Sequence, residues 1–460
     1  MTDPVPALPT PALPTLDALA RDLAAGRTTA AALVEDCLAT IADPDGDGAV
    51  TFISVDAAGA RAAAAGFDAM RRAGMAPSPF AGIPIAVKDL FDMAGQETHA
   101  GSRVLAGSGP AAQDAPAIAR LRRMGFVPIG RTNMTEFAYS GIGTNPHYGT
   151  PPARWRQAGL RIPGGSSSGS AAAVAAGMAH AGIGTDTGGS CRIPAVFNDL
   201  VGFKPTARRI PRAGVVPLSS SLDSVGPLAR SVGCCALLDS IMAGAPEAPP
   251  APAELAGLRL AVPRDVALDA LDDSVAAGFD AALRRLAAAG ARIETIAMPE
   301  FAEVATLNAR GGLTAAESHA WHRALLERGA AAYDPRVLVR LRRGAELSAA
   351  DYIDLLAGRA ELVARARARL APHDALLMPT VAILPPTIAE MDDDAAFTAA
   401  NLRVLRNPTL INMIDGCAIS LPLNAPGAAP VGLMVCGAAE TDRRIFAIAA
   451  AIEALGLNNR

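Results

Sequence analysis

Short β-branched runs alternate with segments of helical period along most of this 460-residue chain, and that alternation restricts the fold more than any other feature. Gly82-Ile83-Pro84-Ile85-Ala86-Val87 is bounded by turn formers and reads as a buried strand ending at Lys88. A helical stretch over 114–124 leads into a second strand at Val127–Gly130. Leu258–Val262, a helix over 272–289 and Ala291–Ile296 repeat the rhythm, and Ala375–Met378 and Val431–Val435 supply later strands. Residues 16–42 place Leu16, Leu19, Leu23, Leu33 and Leu38 at helical spacing and read as N-terminal helices. Strands that are apolar on both faces, with helices between them, specify an α/β sheet covered on both sides. Only 4% of residues are aromatic although 51% are hydrophobic, so Ala, Val and Leu must do most of the packing.

Length alone would allow about three domains. The later strands nevertheless read as returning to the same sheet, so one elaborated domain over 1–460 is expected. Its parts are a Pro/Ala-rich tail (1–15), a core (16–240), a linker-like Pro/Ala segment (245–253), a largely helical region (254–370) and a return to the sheet (371–460). The run Arg336–Arg343 reads as a solvated helix face. A net charge of −4 without a basic stripe argues against a nucleic-acid surface. The tail lacks the basic and apolar regions of a secretory leader. The most apolar run, Ala171–Gly184, is interrupted by His180 and falls short of the ~20 residues that span a bilayer. Six scattered cysteines form no CxxC and no Cys/His metal spacing, so reduced thiols, a cytoplasmic setting, and neither metal nor cofactor are expected.

Two of the 41 basic residues are lysines, Lys88 and Lys204. Arginine keeps its proton, whereas a buried lysine amine can become neutral and act as a base. Chemistry concentrates in Gly164-Gly165-Ser166-Ser167-Ser168-Gly169-Ser170 and Gly184-Thr185-Asp186-Thr187-Gly188-Gly189-Ser190-Cys191-Arg192-Ile193-Pro194. The first segment could be a Gly/Ser linker, but it runs straight into the helix-forming Ala171–Met178. It lacks the Lys-Ser/Thr pair that would close a phosphate loop. Gly165–Gly169 also fits the G-x-S-x-G elbow of an α/β-hydrolase esterase centred on Ser167, without the preceding strand that elbow needs. In the second segment, the hydroxyl of Ser190 follows two residues without side chains. The N–H groups of Thr187, Gly188, Gly189 and Ser190 could then meet one oxyanion. Gly-Gly-Ser alone is equally an ordinary turn. A serine nucleophile needs a base, and with no histidine adjacent, Lys88 is the best candidate on residue chemistry.

Residues 164–195 resemble the signature of the amidase-signature family through nearly every specified position. The similarity extends to Pro84–Asp89, Thr132–Phe137, Gly202–Thr206 and Ser221–Pro227, and more loosely to Met378-Pro379-Thr380. The resemblance implies an α/β/α sandwich with a large mixed central sheet and a Ser–cis-Ser–Lys triad. Carried over by position, Lys88 is the base, Ser166 the relay after a non-proline cis peptide at Gly165, and Ser190 the nucleophile. Asp186 and Arg192 are expected to pair and brace the loop. Ser167, Ser168 and Ser170 are expected to cap the following helix, and Cys191 and Lys204 to be structural. Met134, Thr144 and Asn145 are expected to border the substrate.

Hydrolysis of a small-molecule amide, carbamate or urea through an acyl-enzyme is the favoured reading, with a homodimer a reasonable assembly. The A subunit of a tRNA-dependent amidotransferase is the alternative. A non-catalytic relative would be expected to lack part of the triad, and all three residues are present.

Overall fold

The computed structural model describes residues 13–425 and 427–457, so most of the Pro/Ala-rich tail lies outside the described residues. Eleven strands form one sheet: β1 (Phe52–Val55), β2 (Pro84–Lys88), β3 (Val127–Thr132), β4 (Ala181–Asp186), β5 (Val201–Lys204), β6 (Ser224–Ala229), β7 (Arg259–Pro263), β8 (Arg292–Ile296), β9 (Ala375–Pro379), β10 (Cys417–Pro422) and β11 (Gly432–Gly437). Their order across the sheet is β1-β3-β2-β4-β6-β5-β10-β11-β9-β7-β8. Pairing is parallel across β3-β2-β4 and across β9-β7-β8, and antiparallel from β4 through β6, β5, β10 and β11 to β9. The sheet is therefore mixed, as the resemblance implies.

Alternation along the strands divides the core between two faces. Ile85 and Val87 of β2, Ile419 of β10 and Val435 of β11 join one large cluster with Ile118, Leu238, Phe279 and Phe446. Those four sit on helices Pro116–Arg123, Val232–Ala243, Asp273–Ala288 and Asp442–Ala454. On the other face Ala86 packs with Val34, Ala60 and Ala173. Farther along that face, Met434 and Met378 pack with Phe301, Leu362 and Leu410. Helices thus cover both sides, and buried Leu, Ile and Phe side chains each contribute about 1.5–3 kcal/mol to that packing.

Several strands are built from residues of poor strand propensity because neighbouring backbone approaches closely. A Cβ at Gly182 would lie 2.8 Å from Ser170 O, one at Gly202 would lie 2.3 Å from Cys191 O, and one at Gly226 would lie 2.1 Å from Phe203 O. Helix Ser168–Ala175 can therefore lie directly against β4, bringing the two Gly/Ser segments together.

Candidate active site

Lys88 ends β2, between β3 and β4, and is wholly buried. Its Nζ lies 2.8 Å from Ser166 Oγ and 2.9 Å from Thr185 Oγ1. Burial pulls the amine down from the ordinary 10.5 to about 7, against the opposing pull of Cys191, Asp223 and Asp186. Near neutral pH the amine can therefore both hold and release a proton.

The Gly165–Ser166 peptide is cis. A side chain at Gly165 would meet Gly143 N at 2.7 Å and Thr135 Oγ1 at 2.8 Å, so glycine is required by space. The following serines do not cap the helix by their side chains. Ser167 stands at the N-cap without such a bond, and its hydroxyl donates to Thr185 O at 3.4 Å. Ser170 bonds Thr132 Oγ1 at 2.8 Å, while the buried Ser168 hydroxyl has no partner. Packing against β3 and β4 turns the Ser167 and Ser170 hydroxyls toward the sheet instead. No strand lies between β3 and the helix that begins at Ser168, so the strand-turn-helix that an elbow centred on Ser167 needs is absent among the described residues, and that reading is corrected.

β4 ends at Asp186, which organises the next turn. Its carboxylate accepts Gly189 N at 2.8 Å, Cys191 N at 3.1 Å, Arg192 Nε at 3.0 Å and Nη2 at 2.8 Å, and Asn412 Nδ2 at 3.0 Å. Burial would raise this carboxyl, but the Arg192 guanidinium outweighs it and holds the group well below the usual carboxylate range. Gly189 has φ +130°, and a Cβ there would come within 2.6 Å of Ile193 Cδ1. Its N–H is committed to Asp186, which corrects the expectation that all four N–H groups of the loop face an oxyanion. Those of Thr187, Gly188 and Ser190 meet no backbone acceptor in turns and loops among the described residues.

Thr187 Oγ1 donates to Asp223, which also accepts Leu218 N and Ser219 N. Burial raises the Asp223 carboxyl to about 6. Ser190 O accepts Ser167 N at 3.3 Å, tying the two serine segments together. Cys191 is completely buried, and burial pushes its thiol far up. Lys204, also buried, donates to Pro205 O at 2.8 Å and Gly416 O at 2.7 Å.

A cavity of about 210 Å³ opens before Ser190, bordered by Thr187, Gly188, Leu218, Leu222 and Thr409. Its charged lining consists of Arg340 and Arg343, with no Asp or Glu. Arg340 donates to Tyr139 O at 2.7 Å and lies over the Phe397 ring at 5.4 Å. The solvated-face reading of 336–343 is thus corrected in part: helix Pro335–Arg343 buries Val337 and Leu341, and Arg340, three residues after Val337, turns toward the cavity. Asn401 also lines it; its Oδ1 accepts Ser140 Oγ and Gly141 N, both at 2.9 Å, leaving its amide N–H groups available.

Met134, Thr144 and Asn145 are not brought to this cavity. Met134 is core, and its carbonyl accepts Asn145 Nδ2 at 2.7 Å. That amide also donates to Gly101 O, so Asn145 pins its own loop. Thr144 and Asn145 border a larger outer cavity of about 720 Å³, which shares Arg340, Arg343 and Asn401 with the inner one. Thr185, Asp223, Arg340 and Asn401 were not singled out from sequence. The first two stand inside the quoted motifs, and only the three-residue offset from Val337 hinted at Arg340.

Among the described residues, no cluster of three His, Cys, Asp or Glu could hold a metal ion, and no helix is long and apolar enough to cross a membrane.

A family model described as Amidase matches residues 32–446. The 2-amino-5-chloromuconic acid deaminase of Comamonas testosteroni is 37% identical over 406 residues, 87% of each chain. The A subunit of the glutamyl-tRNA(Gln) amidotransferase of Symbiobacterium thermophilum is 34% identical, covering 92% of this chain and 93% of its own. A crystal structure of an amidase superposes with a TM-score of 0.85 at 33% identity, covering 96% of this chain and 99% of its own. The chain therefore belongs to the amidase family and is an amidohydrolase acting on carbon–nitrogen bonds.

Proposed function

We propose that the protein hydrolyses a small-molecule amide bearing a carboxylate, through an acyl-enzyme on Ser190. The observation that carries the mechanism is the buried Lys88 amine, 2.8 Å from Ser166 Oγ and with its proton affinity lowered to about 7. In the forward step Ser190 Oγ attacks the carbonyl carbon as its proton passes through the Ser166 hydroxyl to Lys88. The N–H groups of Thr187, Gly188 and Ser190 hold the oxyanion. Ser166 then protonates the departing nitrogen as the C–N bond breaks, and water, deprotonated by the same relay, releases the acid and restores Ser190.

The carboxylate follows from the lining. Arg340 and Arg343 face the cavity without an acidic lining residue, and an anionic substrate group would compensate them. A relative named for a muconic acid substrate is consistent with that choice. At about 210 Å³ the cavity lies below the ~300–1,000 Å³ of drug-sized sites, which favours a compact substrate.

The test is a panel of amides, carbamates and ureas with and without a carboxylate, using Ser190→Ala as control. Turnover that survives Ser190→Ala would remove the acyl-enzyme. Equal kcat/KM for acid and neutral members would remove the carboxylate requirement. The likeness to an amidotransferase component supports a second reading, in which the chain releases ammonia from glutamine within a complex. Co-purifying partner chains and a glutaminase activity that depends on them would favour that reading over a stand-alone homodimer.

A further inference from the structure

We infer that Glu317 is a positioning residue that sets the separation of the two walls of the Ser190 cavity. This inference rests on the proposed Ser190 chemistry.

Glu317 lies on helix Gly312–Gly329, in the region between β8 and β9. Its carboxylate accepts four donors: Ser219 Oγ, Ser221 Oγ, Ser221 N at 3.0 Å and Tyr352 OH at 2.9 Å. All four donors are uncharged. A carboxylate offers about four acceptor sites and no donor, so this set fills it. A glutamine replaces one of these oxygens by an NH₂ group, which cannot accept the two bonds now donated to it, whether from Ser219 Oγ and Ser221 N or from Ser221 Oγ and Tyr352 OH.

The partners define what the bond set does. Ser219 and Ser221 belong to the loop that carries Leu218 and Leu222 into the cavity. The same loop ends at Asp223, which accepts the Thr187 hydroxyl at the start of the nucleophile turn. On the helix itself, Thr314 lies three residues before Glu317 on the same face, and Thr314 and Gly311 line the cavity that Ser190 also borders. One side chain therefore links the loop that holds the nucleophile turn to the helix that lines the same cavity. Tyr352, on helix Ala349–Leu370, donates the remaining bond to the carboxylate.

The test is covalent labelling of Ser190 by a small fluorophosphonate in the full-length protein, with folded protein quantified separately. Glu317→Gln is expected to lower kinact about 10- to 100-fold, the scale of an ångström-level misplacement, while KI stays within about threefold. Ser221→Ala is expected to lower kinact at least about fivefold, and the double variant to add little to Glu317→Gln, as coupled neighbours do. A folded Glu317→Gln protein labelled at the wild-type rate, with only its melting temperature lowered, overturns the inference. If Glu317→Gln does not fold, Ser221→Ala decides: a lowered kinact supports positioning and an unchanged one overturns it. Wild-type protein that is not labelled at Ser190 would instead refute the proposed function itself, so the two failures are distinguishable.

Discussion

The chain's two lysines sit in matching surroundings and have different partners. Lys88 and Lys204 both end strands, both are buried, and burial lowers the proton affinity of both. Lys88 meets two hydroxyls, Ser166 and Thr185. Lys204 meets two backbone carbonyls, Pro205 O and Gly416 O. A hydroxyl can accept a hydrogen bond and surrender a proton, whereas a carbonyl can only accept. Burial makes an amine chemically available; its neighbours decide whether it serves as base or as strut.

The largest effect that would break this comparison is in turnover. Lys88→Met should cost on the order of 10²–10⁴-fold in kcat/KM, the usual contribution of a positioned acid–base group. Lys204→Met, assayed per folded molecule, should remain within about threefold of wild type; equal losses at both positions would abolish the distinction. The next effect is in stability. Lys204→Met strands two buried carbonyls and should lower the unfolding free energy by about 1–3 kcal/mol in urea titrations.

Lys88 adds a pH dependence to stability. Between pH 7 and 10.5 the unfolded chain keeps a proton that the folded amine has released, so stability rises with pH over that window. Lys88→Met should remove the Lys88 share of this rise, leaving the part that the buried Lys204 contributes.

The pH dependence of kcat/KM sharpens the same point: activity should climb through about pH 7 as the Lys88 amine loses its proton. The smallest effect belongs to Thr185→Val. It removes an acceptor that favours the protonated amine, so the acid limb should shift to lower pH with only a few-fold rate change.

The strand ending at Lys88 was legible because β-branched residues stand between turn formers. The glycine-rich β4, β5 and β6 were harder to read. Their small residues answer to neighbouring backbone, as at Gly182, Gly202 and Gly226, and that pressure has no local signature. The two Gly/Ser segments announced themselves as chemistry, yet the commitment of Gly189 N–H to Asp186 depends on how the turn closes. Met134 proved to be core, and Thr144 and Asn145 stand at the outer cavity and not beside Ser190, because their loop folds back upon itself and uses up the asparagine amide. Asn401 gave no signal, since an asparagine within a helical stretch is unremarkable until two donors from residues 140 and 141 are seen to converge on it.

The placement of β10 and β11 in the middle of the sheet, between β5 and β9, has a consequence for biosynthesis. Asn412, which holds both Asp186 and Arg192, follows Arg192 by 220 residues. A ribosome therefore releases the nucleophile turn long before the segment that steadies it, and the nascent chain must wait with its sheet unfilled. Competence for catalysis should arise abruptly, once residues 412–437 have emerged and the late strands slide into the gap left for them.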